Sequence, residues 1–334
     1  VKIQIIDVGN THTKFADFEV SDKGMVDLKV FHRVETPRDD PQDLLDIVRE
    51  NAHLQSDVLM INTFSDSFVY DGKWYFADAD VPPYVDKHLV CDTGHEMKYE
   101  NTGQNNSLGL VGVPALLQSV STKSEYPPET PQGYLLRQLF EIKPHWELTH
   151  ASRSGVYHFT GRRWCYLPED LNNLPATRQL LRCPVYQTGK TVDMISSVRI
   201  LAGGLDHSFV SSYKSGAYVA SGTWCNIIQA EPCFLPTQAQ EKAGIRWGIL
   251  ADGRYAKEIN YPVDAADAAM FETVKNALPL MNLTTSMPLT GGSASKVRPL
   301  IEAEAKLFYD LEGGFPHLEM SAAAYFAWRC SFVS

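Results

Sequence analysis

Ile6-Asp7-Val8-Gly9-Asn10-Thr11-His12-Thr13-Lys14 follows directly on an apolar N-terminal run and has the chemistry of a hairpin that grips a phosphate. Val1, Ile3 and Ile5 with Ile6 and Val8 form a short strand-like run, and 15–20 (Phe-Ala-Asp-Phe-Glu-Val) resumes the extended pattern after the polar turn. Gly9 lets backbone approach an anion, and Asn10 tolerates a left-handed conformation. Thr11 and Thr13 add hydroxyl donors beside exposed N–H groups, and Lys14 adds a point charge. Asp7, at the strand end, is suited to Mg²⁺, which takes oxygen ligands and keeps much of its hydration. The competing reading of this stretch alone is an ordinary hairpin with a solvated Asp and Lys, so other segments must decide.

The chain has 334 residues, 44% of them hydrophobic and 21% charged, enough to bury a substantial core in two domains. A net charge of −10 without a basic run argues against a nucleic-acid partner. No apolar stretch approaches a membrane span, and the N-terminal segment lacks the pattern of a secretory signal, so no membrane partner and a cytoplasmic location are expected. The six cysteines (Cys91, Cys165, Cys183, Cys225, Cys233, Cys330) show no paired framework and read as reduced thiols. His88, Cys91 and His95 lack a fourth ligand for zinc.

Strand-like and helix-like patterns alternate, which favours an α/β arrangement. Residues 57–64 read as a buried strand, and Phe68-Val69-Tyr70, Asp71-Gly72-Lys73, Trp74-Tyr75-Phe76 as a hairpin. Tyr126-Pro127-Pro128-Glu129-Thr130-Pro131 precedes a helix around 134–140. A strand over 198–201 enters Ala202-Gly203-Gly204, where a division between domains 1–197 and 198–334 is expected.

That division introduces the second constellation, Gly203-Gly204-Leu205-Asp206-His207, followed by Tyr218-Val219-Ala220-Ser221-Gly222-Thr223-Trp224. Asp206 just beyond the glycines is suited to accept the proton of a hydroxyl attacking a γ-phosphate, whereas His207 reads as a packed neighbour. Ser221, Gly222 and Thr223 read as a second phosphate-facing turn. The third piece is Thr290-Gly291-Gly292-Ser293 ahead of an amphipathic helix over about 299–309, a place for a flat adenine.

Together these segments resemble the FGGY carbohydrate kinases, in the superfamily that also holds actin and the heat-shock chaperone ATPases. Residues 7–14 resemble the first phosphate motif, 203–207 the catalytic segment, 221–224 the second phosphate motif and 291–293 the adenosine motif. Residues 63–69 and 82–86 resemble the sugar-facing region, which makes Asp66, Tyr84 and Asp86 candidates for sugar hydroxyls. Leu148 to Arg153 is similar to the family's Ala-Ser-Arg segment. The Ser-Gly-Thr-Trp spelling is most similar to the L-rhamnulose and L-fuculose kinase branch. The chain is shorter than usual members, with compressed stretches before Leu148 and between Tyr261 and Thr290.

The resemblance implies two actin-like (ribonuclease H-like) α/β domains closing over ATP and sugar. It implies Asp206 as general base and Asp7 near Mg²⁺. Phosphate donors would come from Gly9, Asn10, Thr11, Thr13, Lys14, Ser221, Gly222 and Thr223, and Gly291, Gly292 and Ser293 would lie at adenosine. Sugar and ATP are the expected small-molecule partners, with a homodimer as the assembly to test. Asp7-Val8-Gly9-Asn10-Thr11 also resembles the opening of type III pantothenate kinases, against which the 203–207 and 221–224 segments argue. A sugar or nucleotide sensor without catalysis is the reading outside enzymes, and retained Asp7 and Asp206 weigh against it.

Overall fold

The computed structural model describes residues 1–64, 67–76, 98–104, 113, 116–117, 120, 122–167, 169–210, 216–221, 224–262, 274–281, 283, 287–290, 308–310 and 318–333. The zinc candidates His88, Cys91 and His95 fall outside them, and among the described residues no cluster of His, Cys, Asp or Glu could hold a metal ion by itself. No helix among them is long and apolar enough to cross a membrane.

Two six-stranded sheets organise the chain. The first contains β1 (Lys2–Val8), β2 (His12–Val20), β3 (Val26–Glu35), β4 (Val58–Thr63), β5 (Thr191–Ile195) and β6 (Val198–Leu201), in the order β5-β6-β4-β1-β2-β3. Strands β1, β2 and β3 form an antiparallel meander, while β4 runs parallel to β1 and β6 parallel to β4. From Ile3 to Val8 every residue of β1 is buried, because helices cover both faces. On one face, Leu44, Leu45 and Val48 of α1 (Pro41–Asn51) and Tyr134, Leu135 and Leu136 of α2 (Pro131–Phe140) pack on Ile6, Val8 and Phe15. On the other, Met320, Ala322, Ala323 and Phe326 pack on Ile3, Ile5 and Phe18. Capping sets where α1 and α2 begin. The Asp40 carboxylate accepts from Gln42 N, the Thr130 hydroxyl accepts from Gly133 N, and a proline follows each cap.

The second sheet contains β7 (Ala217–Ser221), β8 (Trp224–Glu231), β9 (Arg246–Ile249), β10 (Tyr255–Pro262), β11 (Met287–Thr290) and β12 (Phe308–Asp310), in the order β9-β10-β8-β7-β11-β12. It repeats the course of the first. Strands β7, β8 and β10 form an antiparallel meander, and β11 and β12 continue parallel from β7. Alternation along β7 sends Ala217 and Val219 to one core and Tyr218 and Ala220 to another that includes Leu318.

Sequence and structure agree on β4, on α2 and on the hairpin Ser67–Tyr70 with Lys73–Phe76, whose Asp71 and Gly72 both have positive φ. They differ at two places. The division expected at 197/198 cuts between β5 and β6, which pair antiparallel in one sheet, so the chain leaves the first sheet only after Leu201. The chain also returns, since α4 (Leu318–Phe332) lies on the first sheet. The helix expected over 299–309 lies largely outside the described residues, but Phe308 and Tyr309 stand in β12, where pairing with β11 overrides their helical spacing.

Candidate active site

The parallel strands of the first sheet end together. Asp7 pairs with Asn62 and Val8 with Thr63, and Thr63 forms a bridge to Leu205, so Asp206 emerges at the same edge as Asp7. Ligand sites in α/β sheets lie at such carboxyl ends of parallel strands.

Two glycines make this approach possible. A Cβ at Gly203 would stand 1.9 Å from the Ile61 carbonyl oxygen, and one at Gly204 would stand 2.9 Å from Thr149 Oγ1. Any larger residue at 203 would push the segment off β4. Asp206 opens a short 3₁₀ turn, Asp206–Phe209. Its Oδ1 accepts from His207 N at 2.7 Å and lies 2.9 Å from His207 Nδ1. Burial works to raise this carboxyl, but the His207 hydrogen bonds and charge, with Lys14, outweigh it and hold Asp206 below the ordinary carboxylate range. His207 is therefore more than the packed neighbour expected from the sequence, because its ring orients the carboxylate.

Asp7 is 1% exposed, and its Oδ2 accepts from Lys14 Nζ at 2.7 Å across the β1–β2 pair. Burial pushes the Asp7 carboxyl up, Lys14 opposes this, and the Asp206 charge adds to the rise. The charge of Asp7 in turn raises the Lys14 ammonium and holds it in its charged form. Glu319, in the first turn of α4, completes the group. Burial, opposed by Lys14 and aided by the Asp206 and Asp7 charges, pushes Glu319 up to about 7. Nothing local in the sequence marks Glu319 as part of this cluster; only the return of α4 brings it there.

The hairpin tip departs from its sequence reading. Gly9 is required because a Cβ would meet the His12 carbonyl oxygen at 2.8 Å, and its N–H is already donated to the Asp7 and His12 carbonyls. Asn10 is absent from the positive-φ region. Thr13 is fully buried. The Thr36 hydroxyl donates to the Gly9 carbonyl, so the Thr13 hydroxyl, 3.0 Å away, donates to Thr36. Thr13 and Thr36 thus brace the turn from within. Lys14 is committed to Asp7, while Thr11 is exposed at the tip.

Ser221 ends β7 opposite Cys225. Gly222 and Thr223 lie outside the described residues, as do Asp66, Tyr84, Asp86, Gly291, Gly292 and Ser293.

The residues present fit a magnesium ion at one point. Asp7 Oδ1 is buried without a hydrogen-bond partner among the described residues, the state of an acceptor that a cation or its water would satisfy. A single carboxylate completed by water and phosphate oxygens is an ordinary Mg²⁺ arrangement.

No family model matches the chain, and no curated protein matches it by sequence. Solved structures do. The chain is similar to ligand-bound xylulose kinase from Lactobacillus acidophilus at 13% identity and a TM-score of 0.70, covering 98% of this chain and 89% of that one. Gluconate kinase from the same organism gives 12% identity and a TM-score of 0.71 with the same coverage. Plasmodium falciparum glycerol kinase with ADP gives 10% identity and 0.66 over 97% of this chain and 88% of that one. At such identities the likeness is one of architecture, and the chain has the actin-like, two-domain α/β fold of these carbohydrate kinases.

Proposed function

We propose that the protein transfers the γ-phosphate of ATP to a hydroxyl of a sugar. The observation that carries this reading is the meeting of Asp206 and the Asp7–Lys14 pair at one sheet edge, with Asp206 held in its ionised form. The likeness to sugar kinases of the same fold supports it.

In this mechanism the Asp206 carboxylate accepts the hydroxyl proton as the sugar oxygen attacks the γ-phosphorus. Both hydrogen bonds from His207 fall on Oδ1, which leaves Oδ2 as the oxygen with capacity for that proton. Lys14 opposes the effect of burial on Asp7 at the strand end, where the carboxylate would hold Mg²⁺ through Oδ1. When held there, Mg²⁺ would supply positive charge to offset that developing on the phosphoryl group. Thr11 and the turn at Ser221, Gly222 and Thr223 are assigned to the phosphates, Gly291, Gly292 and Ser293 to adenosine, and Asp66, Tyr84 and Asp86 to the sugar. Closing of the two halves would exclude water and limit wasteful hydrolysis of ATP.

For the acceptor we favour the primary hydroxyl of a ketose. The similar structures are kinases of xylulose, gluconate and glycerol, so the narrower choice of L-rhamnulose or L-fuculose rests on the Ser221-Gly222-Thr223-Trp224 spelling and the Glu241 to Tyr255 stretch that follows it. A coupled ADP-release assay across ketoses, deoxyketoses and polyols, with pantothenate as control, tests the proposal. Sugar-dependent release is expected; release with pantothenate alone would overturn it.

A further inference from the structure

The 202–205 segment is held from outside its own sheet by a buried carboxylate that the proposed chemistry does not use. Glu147 is fully buried and caps α3 (Leu148–Arg153). Its Oε2 accepts from Thr149 N at 2.9 Å and Thr149 Oγ1 at 2.6 Å, with His150 N and Nδ1 at 3.3 and 3.2 Å. Its Oε1 accepts from Thr149 N at 3.0 Å and from the Thr188 hydroxyl.

This set of donors fixes the direction of one further bond and places the ring for another. Because the Thr149 hydroxyl proton goes to Glu147, its oxygen is free to accept, and it accepts Leu205 N at 2.9 Å. Because the carboxylate only accepts, His150 Nδ1 donates to it, and the other ring nitrogen, Nε2, lies 2.8 Å from Thr63 Oγ1. Thr63 ends β4, and its backbone N donates to the Gly204 carbonyl at 3.1 Å. Gly204 N donates to Asn62 Oδ1 at 3.3 Å. Gly204 is where the segment comes closest, since a Cβ there would stand 3.2 Å from Glu147 Oε2.

We infer that Glu147, acting through Thr149 and His150, is a positioning residue that locks the catalytic segment 203–206 to the end of β4. Glu147 touches neither Asp206 nor the phosphate hairpin, yet it sets which way the Thr149 hydroxyl points, and that hydroxyl holds the amide one residue before the base. An amide at 147 would turn an NH₂ toward donors already converging there and disturb the chain of bonds. The catalytic part of this inference rests on the kinase reading; the anchoring part does not.

The test uses the full chain with Thr149→Val, which keeps shape and removes the oxygen, and Thr149→Ser, which restores it. Thr149→Ala replaces the valine variant if that fails to fold. Amide hydrogen exchange over 203–208 is measured first, without ligand. With valine, exchange at Leu205 should quicken about ten-fold or more while 2–8 stays protected, and serine should restore it. Turnover is then measured on the best acceptor. With valine, kcat should fall about 10–100-fold with KM for ATP changed less than about three-fold, and serine should recover most of the loss. Unchanged exchange at Leu205 overturns the anchoring, and faster exchange with unchanged kcat overturns the positioning role. If the unaltered protein releases no ADP with any sugar, the kinase reading fails, and exchange alone decides the anchoring.

Discussion

The hairpins β1–β2 and β7–β8 occupy corresponding places in two sheets of the same course, and they differ in charge. In the first, Asp7 stands two residues before Gly9 and pairs across the strands with Lys14. In the second, the residue two before Gly222 is Ala220, and its partner is Asn226. Both positions look toward the start of α4. Asp7 continues the Ile3 and Ile5 face that α4 covers, and Ala220 shares a core with Leu318. The same backbone therefore carries a partly buried Asp–Lys pair in one hairpin and an uncharged pair in the other. Buried charge is costly, and of these two paired positions only the one beside Asp206 carries it.

Breaking the charged half should matter most. Asp206→Asn should lower sugar-dependent ADP release by about 10³-fold or more while nucleotide binding, read by calorimetry, survives. Unchanged turnover would move the base elsewhere. Making the second hairpin resemble the first is the next largest effect. Ala220→Asp puts a carboxylate at a 3% exposed position with no cation and should cost about 3 kcal/mol in urea unfolding. Adding Asn226→Lys should recover a good part of that, and no recovery would mean that the pair depends on more than strand register. Lys14→Met leaves Asp7 unpaired. The loss should be about 2 kcal/mol at pH 8, discounted because Lys14 is 26% exposed, and smaller at pH 5, where Asp7 takes up a proton more readily.

The smallest effect falls on Glu319. Its folded value of about 7 lies above its ordinary 4.5, so the folded protein binds the proton more tightly than the unfolded chain. The stability this group contributes is present below about pH 4.5 and lost as pH rises through about 7. Glu319→Gln should therefore leave the unfolding midpoint nearly unchanged at pH 5 and raise it at pH 8, by about 1 kcal/mol after allowance for its half-buried state. A midpoint lowered equally at both pH values would show that Glu319 acts by packing.

Local features of the fold were legible in the sequence. Alternation marks β1 and β2, a cap with proline marks α2, and the Gly203-Gly204 pair before Asp206 marks a close approach that the Ile61 carbonyl explains. The burial of Thr13 was legible too, since it shares a strand face with the buried Phe15 two residues on and so points inward. Other features had no local signal. Glu319 meets Asp7 only because α4 crosses back to the first sheet, and Glu147 meets Leu205 across 58 positions through the Thr149 hydroxyl. Such contacts depend on how elements pack, which spacing along the chain does not encode. The same holds near the 197/198 division: the pairing of β6 with β4 on one side and β5 on the other has no mark in the spacing along the chain.

The return of α4 bears on how the molecule is made. During synthesis, β1 to β4 leave the ribosome long before 318–332 exists, so Ile3, Ile5 and Phe18 wait without the alanine-rich surface that will cover them. At about 5–20 residues per second that interval lasts on the order of ten seconds or more, with an apolar sheet face open to other nascent chains. The first half is thus the last to be finished, and a chain cut short before α4 would expose a sticky sheet rather than yield a small, well-behaved domain.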